Sequence, residues 1–159
     1  MPNSDLPTSE ATIRRATDAD AVELADLFWT VREESVPGIP MIVHPRESVL
    51  PFVREVLLRE FEVHVAQVGP RLVGFMALVP PDVLGHLYVA RDHTGRGLGS
   101  RLLALARERF PSGLQLYTFQ DNHGALRFYE RHGFVPVAWS EDDNEEGAPD
   151  VRMVWRPTQ

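Results

Sequence analysis

The sequence predicts a single α/β domain built on a mixed, twisted sheet of about seven strands, with helices on both faces. Three observations lead there. Alternating apolar runs and amphipathic helical runs follow in the order strand, two helices, three strands, helix, strand, helix, two strands. The turn at Gly69-Pro70 joins two strands as an antiparallel hairpin, whereas the later strands are separated by helices. The 159 residues contain neither an internal repeat nor a linker that would split them, and are near the usual size of one domain.

Residues 1–10 read as a frayed tail and 11–159 as the domain. Thr12–Arg15 forms a short strand. Thr17 or Asp18 then stands near the N-cap of a first helix whose buried stripe would be Val22, Leu24, Ala25, Leu27, Phe28 and Val31. Pro37, Gly38 and Pro40 end that helix and leave Ser35–Pro45 as a loop, after which a second helix is expected over Glu47–Leu58. Phe61, Val63 and Val65 share one face of the next strand, which the Gly69-Pro70 turn carries into "RLVGFMALV".

"VLGHLYVA" is a further strand that runs into a glycine-rich turn and a helix over Gly99–Phe110, burying Leu102, Leu103, Ala106 and Phe110 until Pro111 stops it. "LQLYTF" sets Leu114, Leu116 and Thr118 against Gln115, Tyr117 and Phe119, and a short helix over His123–Arg131 follows, closed by Gly133. "FVPVAWS" and "DVRMVWR" pair across an acidic loop, Ser140–Asp150, with Pro136 marking an edge or a bulge.

A net charge of −7 argues against nucleic acid or an anionic membrane as the main partner and is compatible with a cationic or amine substrate. The acidic loop holds six carboxylates and no base; it reads as a solvated segment or as a rim that attracts a cationic substrate. With no cysteine there is no disulfide framework, thiolate metal site or cysteine nucleophile. No signal-peptide pattern and no apolar run near the ~20 residues of a membrane span occur, so a cytoplasmic location is expected. His44, His64, His93, His123 and His132 are scattered and lack ligand spacing, so no metal is expected.

The chemistry concentrates in "HTGRGLGSRLL", His93 to Leu103. A strand that ends in spaced glycines and continues as a helix turns backbone N–H groups toward the positive end of the helix dipole, where phosphate oxygens bind. Gly95, Gly97 and Gly99 clear the approach, and Arg96 and Arg101 add charge-assisted donors for a diphosphate; a plain flexible turn uses similar residues. A Walker loop would need a Lys followed by Ser or Thr after its last glycine. A Rossmann turn would need a glycine at Ser100 or Leu102, so neither fits.

About twenty residues on, "NHGALRFYERHGF" places Asn122, Ala125, Phe128, Tyr129, Gly133 and Phe134 on a short helix and its exit. The "LYV" strand end, the R-G-x-G-x-G turn and this N-x-x-A-x-x-F-Y-x-x-x-G-F segment together resemble the GNAT superfamily of acetyl-CoA-dependent N-acetyltransferases. The motifs span about Val83 to Val135, and the element order extends the likeness over most of the chain. Thr94 departs from the Gln or Arg common at its position.

The resemblance implies a fold in which "VLGHLYVA" and "LQLYTF" are the two central parallel strands and splay apart to receive acetyl-CoA. It implies that Leu87, Tyr88 and Val89 line the pantetheine, with the Val89 N–H polarising the thioester carbonyl. Thr94, Gly95, Arg96, Gly97, Leu98, Gly99 and Ser100 would hold the diphosphate. Asn122, as pantetheine contact or helix N-cap, and Phe128 would complete the cofactor side. Tyr129 would protonate the departing thiolate, the alternative being a core aromatic.

An amine must lose a proton to react, and His86, on the central strand, is the first candidate to take it, with Glu33 and Glu34 next. The implied activity is direct acetyl transfer to a primary amine of a small molecule or peptide, with a non-catalytic acyl-CoA-binding module as the alternative. A homodimer through the last strands is also expected.

Overall fold

The computed structural model describes residues 11–34, 45–141 and 148–157. The expected tail, the loop over 35–44 with His44, and the centre of the acidic loop lie outside these residues.

The chain enters as β1 (Thr12–Arg15) and passes through a 3₁₀ turn, Asp18–Asp20, into α1 (Ala21–Glu34). Thr17 caps that turn, and the Asp20 carboxylate returns to the Thr17 N–H at 2.8 Å while accepting both Arg14 terminal nitrogens at 2.8 and 2.9 Å. The Arg14 hydrogen bond, helped by the Thr17 N–H, holds the Asp20 carboxyl below its ordinary range against the opposing effect of burial. The extra turn rotates α1, so Ala21 rather than Val22 is buried; Val22 is 55% exposed. The buried stripe becomes Ala21, Leu24, Ala25, Leu27, Phe28, Val31 and Arg32.

The second helix is longer and less regular than expected. A 3₁₀ turn, Arg46–Ser48, leads into α2 (Val49–Phe52), a π turn (Val53–Leu57) and α3 (Leu58–Glu60). Pro51 sits in the first turn, where its missing N–H costs nothing, and the π turn keeps both Val53 and Leu57 buried.

The remaining elements are β2 (Glu62–Val68), β3 (Arg71–Val79), β4 (Val83–Val89), α4 (Leu98–Arg109), β5 (Leu114–Phe119), α5 (His123–Arg131), β6 (Val135–Ser140) and β7 (Asp150–Trp155). They form one sheet of order β1-β2-β3-β4-β5-β7-β6, antiparallel except at β4–β5. The edge strand β6 carries Pro136, and its register against β7 shifts between Pro136 and Ala138, as the proline foretold. On one face Phe28 of α1 packs on Phe75, His86 and Tyr88; on the other Leu98 of α4 is buried near Gly74. Among the described residues no helix is long and apolar enough to cross a membrane.

Two local features open the sheet at its centre. Ala77 on β3 faces His86 on β4, but Leu78 faces Leu84, so Gly85 is a surplus residue and bends β4. A Cβ at Gly85 would stand 2.9 Å from Cε2 of Phe61 and 3.3 Å from the Ala77 carbonyl oxygen, which reserves the position for glycine. Before the bulge β4 and β5 share a single register pair, Val83 with Gln115, and beyond it they share none.

Candidate active site

Because pairing stops after Val83 and Gln115, the two strands part and leave a cleft of about 210 Å³. Leu87, Tyr88 and Val89 form one wall, Leu116 to Phe119 the other, and Asn122, Ala125 and Tyr129 of the α5 segment close it. The Ala90 N–H bonds the Val73 carbonyl on β3 at 2.8 Å, so by strand alternation the Val89 and Leu87 N–H groups point the opposite way, into the cleft. No charged side chain among the described residues lines it.

At the far end of β4 the chain makes a 3₁₀ turn, Arg91–His93, and enters the glycine loop. Gly95 and Gly97 have φ of 75° and 89°, a left-handed conformation that costs L side chains about 1–2 kcal/mol. Gly97 is the N-cap of α4 and offers no side-chain cap, so the first-turn N–H groups of Leu98, Gly99 and Ser100 have no intrahelical acceptor. Backbone donors arranged in this way suit an anion. Arg96 is exposed between the two left-handed glycines.

Several predicted residues sit differently from expectation. The Thr94 hydroxyl donates to the Arg91 carbonyl at 2.8 Å, within its own turn. The Leu98 side chain is buried in the core, leaving only its backbone to face a ligand. Phe128 does not line the cleft; its ring meets Gly99, where a Cβ would stand 3.4 Å from Cε1 and Cζ, so it props α4 against α5. The Ser100 hydroxyl lies 2.9 Å from Nε2 of His132. Asn122 caps α5, its Oδ1 accepting from the Ala125 N–H at 3.2 Å, and also lines the cleft.

Tyr129 is buried between Phe128 and Phe134, with ring centroids at 5.2 and 5.4 Å, and borders the cleft. Burial first, and the neighbouring Tyr88 second, push its phenol above the ordinary tyrosine range. His86 also borders the cleft, on the α1 side of β4, among Phe28, Phe61, Phe75 and Tyr88. Its imidazole is pushed down to about 4 by burial, with a smaller contribution from the charge of Arg32. Neither alternative base reaches the cleft: Glu33 is exposed, and Glu34 borders a separate groove along α1, where its carbonyl accepts from Arg91 at 2.7 Å.

Tyr117, Thr118 and Phe119 complete the β5 wall, and the His132–Ser100 contact ties the loop to α5; neither was anticipated. The first was signalled by the period-2 pattern of "LQLYTF", the second by nothing local, since the partners are 32 residues apart. Among the described residues there is no group of three or more His, Cys, Asp or Glu that could hold a metal.

The Acetyltransferase (GNAT) family profile matches residues 22–134. Peptidyl-lysine N-acetyltransferase YiaC of Escherichia coli (strain K12) is 30% identical over 145 residues, 89% of this chain and 97% of that one. Apo YjaB of Escherichia coli superposes with a TM-score of 0.73 at 25% identity, over 91% of this chain and 97% of that one. YncA of Salmonella typhimurium, solved with its cofactor acetyl-CoA, gives a TM-score of 0.71 at 16% identity, over 94% and 95% of the two chains. With that profile laid over the strand, the glycine cradle and α5, the chain belongs to the GNAT family and is an acyltransferase enzyme.

Proposed function

We propose that this enzyme transfers acetyl from acetyl-CoA directly to a primary amine, with residues 11–159 acting as one acetyltransferase domain. The observation that carries the reading is the order of groups along one strand. Leu87 and Val89 turn their N–H groups into the cleft that Tyr129 borders, and the same strand, β4, leads through the Arg91–His93 turn directly to the glycine turn at Gly95–Ser100. That order suits a ligand with a diphosphate at one end and a thioester at the other.

In this reading Gly95, Arg96, Gly97, Leu98, Gly99 and Ser100 hold the diphosphate through backbone donors, and Thr94 shapes the loop. Leu87, Tyr88, Val89 and Asn122 hold the pantetheine arm, and Phe128 supports the cradle from behind. The acceptor nitrogen attacks the thioester carbon, and the developing oxyanion accepts from the Val89 N–H; losing such a donor costs roughly 3 kcal/mol of transition-state stabilisation. When the C–S bond breaks, Tyr129 gives its proton to the thiolate. Its raised proton affinity is offset because the same dry pocket also raises that of the sulfur.

His86 is neutral at working pH and receives the proton of the attacking nitrogen, directly or through water, once bond formation has made that nitrogen acidic. It is too weak a base to deprotonate a free ammonium, so the acceptor reacts from its own neutral fraction. The likeness to a peptidyl-lysine acetyltransferase supports a lysine side chain as acceptor. Release of CoA thiol from acetyl-CoA with lysine-containing peptides, polyamines and free amino acids tests this. Turnover with a peptide that vanishes when its lysine is blocked is the expected result; thiol release with no amine preference would sink it.

A further inference from the structure

We infer that His132 is a positioning residue for the diphosphate end of the site, and that it takes up a proton as the diphosphate binds, freeing the Ser100 hydroxyl to donate to the anion. This rests on the acyl-CoA reading above.

His132 immediately follows α5, and its ring reaches across to α4. Nδ1 lies 2.8 Å from the Phe128 carbonyl oxygen; a carbonyl only accepts, so Nδ1 carries the proton. In the neutral ring Nε2 is then a bare lone pair, and at 2.9 Å from Oγ of Ser100 it must be accepting the serine proton. Ser100 belongs to the first turn of α4, whose backbone donors form the cradle, and its hydroxyl is the neutral side-chain donor of that turn, beside the guanidinium of Arg101. While the ring is neutral, that donor is turned away from the anion.

A proton added at Nε2 reverses the bond. The ring now donates, Oγ accepts, and the serine hydrogen is released toward a diphosphate oxygen; one proton comes from solvent and no covalent bond is otherwise made or broken. The charges around the ring make this step follow the ligand. Arg107 of α4 donates to the His132 carbonyl oxygen, Arg101 and Arg131 adjoin Ser100 and His132 in sequence, and the ring's own hydrogen bonds go to a hydroxyl and a carbonyl rather than to a carboxylate. A diphosphate at the cradle supplies a counter-charge to the protonated ring, so proton and ligand bind with reciprocal coupling.

The same side chain aligns the two halves of the site. Its ring packs on Phe128 with centroids 4.5 Å apart, and Phe128 rests against Gly99, so α4's first turn is held against the helix that carries Tyr129.

The test uses the full chain and 3′-dephospho-CoA, which keeps the diphosphate but lacks the 3′-phosphate, whose own titration would overlay the signal. Calorimetry near neutral pH in buffers of different ionisation enthalpy reads the protons taken up on binding. The wild type should take up on the order of half a proton or more, and bind about tenfold tighter at pH about 6 than at pH about 8. His132→Gln keeps an amide within reach of Ser100 but does not titrate, so it should lose both effects. His132→Asn keeps the contact to the Phe128 carbonyl and loses that to Ser100; it should fold normally and lose them as well.

Ser100→Ala should lose the affinity gained on acidification. Nitrogen NMR of the free protein should show the Nδ1–H tautomer of His132. Equal uptake in wild type and His132→Gln overturns the inference, as does an Nε2–H tautomer or a Ser100→Ala variant that keeps the full acid gain. If the wild type does not bind 3′-dephospho-CoA even at millimolar concentration, the acyl-CoA reading itself fails, which is a different result.

Discussion

The ring of His86 stands edge-on to that of Phe28 with centroids 5.5 Å apart, which seats the cleft's imidazole among aromatic side chains rather than in water. Its value falls from 6.5 to about 4, so between those two pH values the unfolded chain binds the proton and the folded chain does not. Stability from this group is therefore complete above about 6.5 and is lost as pH falls toward 4, by on the order of 3 kcal/mol. His86→Phe should flatten that part of the melting-temperature profile. Parallel profiles for the two proteins would show that the depressed value is wrong.

A second acid-sensitive point lies lower on the pH scale. Glu62 accepts from Arg109 at 2.5 and 2.9 Å and contacts Nε2 of His64 at 2.7 Å, and the Arg109 hydrogen bond is the main cause of its fall from 4.5 to about 2. A depressed carboxylate stabilises the fold above its unfolded value, so this contribution fades as pH drops from 4.5 toward 2. Glu62→Gln should remove the lower step and leave the His86 step intact, as read by chemical denaturation across the acid range.

Tyr129→Phe separates chemistry from packing. The phenol is buried and borders the cleft, and its loss should lower kcat by about 10²-fold while the KM for acetyl-CoA moves little. The melting temperature should hold, because the ring contacts to Phe128 and Phe134 survive. An unchanged kcat would assign the residue to the core alone.

Gly97→Ala forces a Cβ into a backbone with φ of 89° and should cost about 1–2 kcal/mol of local order, weakening acetyl-CoA about tenfold. Gly124→Ala is its counterpart. That helical glycine has no heavy atom within 4 Å of the added Cβ, so the change should stabilise α5 by up to about 1 kcal/mol. Thermal melts and titrations of both variants should diverge in these directions.

Much of this architecture is legible because it rests on local rules. The bounds of α5, His123–Arg131, follow from Asn122 as cap and Gly133 as stop, and the hairpin follows from Gly69-Pro70. Errors arise where a residue's surroundings come from distant chain. Val22 was expected inside because the 3₁₀ turn that shifts α1's phase leaves no mark on periodicity. Arg32, a charged residue outside the expected stripe, is buried on it.

In the site, the left-handed glycines follow from the motif, and the parting of β4 from β5 from the resemblance that the motif carries. The depth of His86 was not, because Phe28, Phe61 and Phe75 reach it from three different elements. Phe128 carried an apolar signature that a cofactor wall and a helix prop share, and only the contact with Gly99 distinguishes them.

The surplus glycine on β4 makes the opening of the sheet a matter of counting rather than of composition. Deleting Gly85 would set Leu84 and His86 against Leu78 and Ala77 in one regular ladder, keep every later pair with β3, remove the bend, and let β4 and β5 zip shut. Substituting the side chains around the cleft has no such effect. The walls are therefore free to diversify toward new acceptors while the aperture itself is inherited all or nothing.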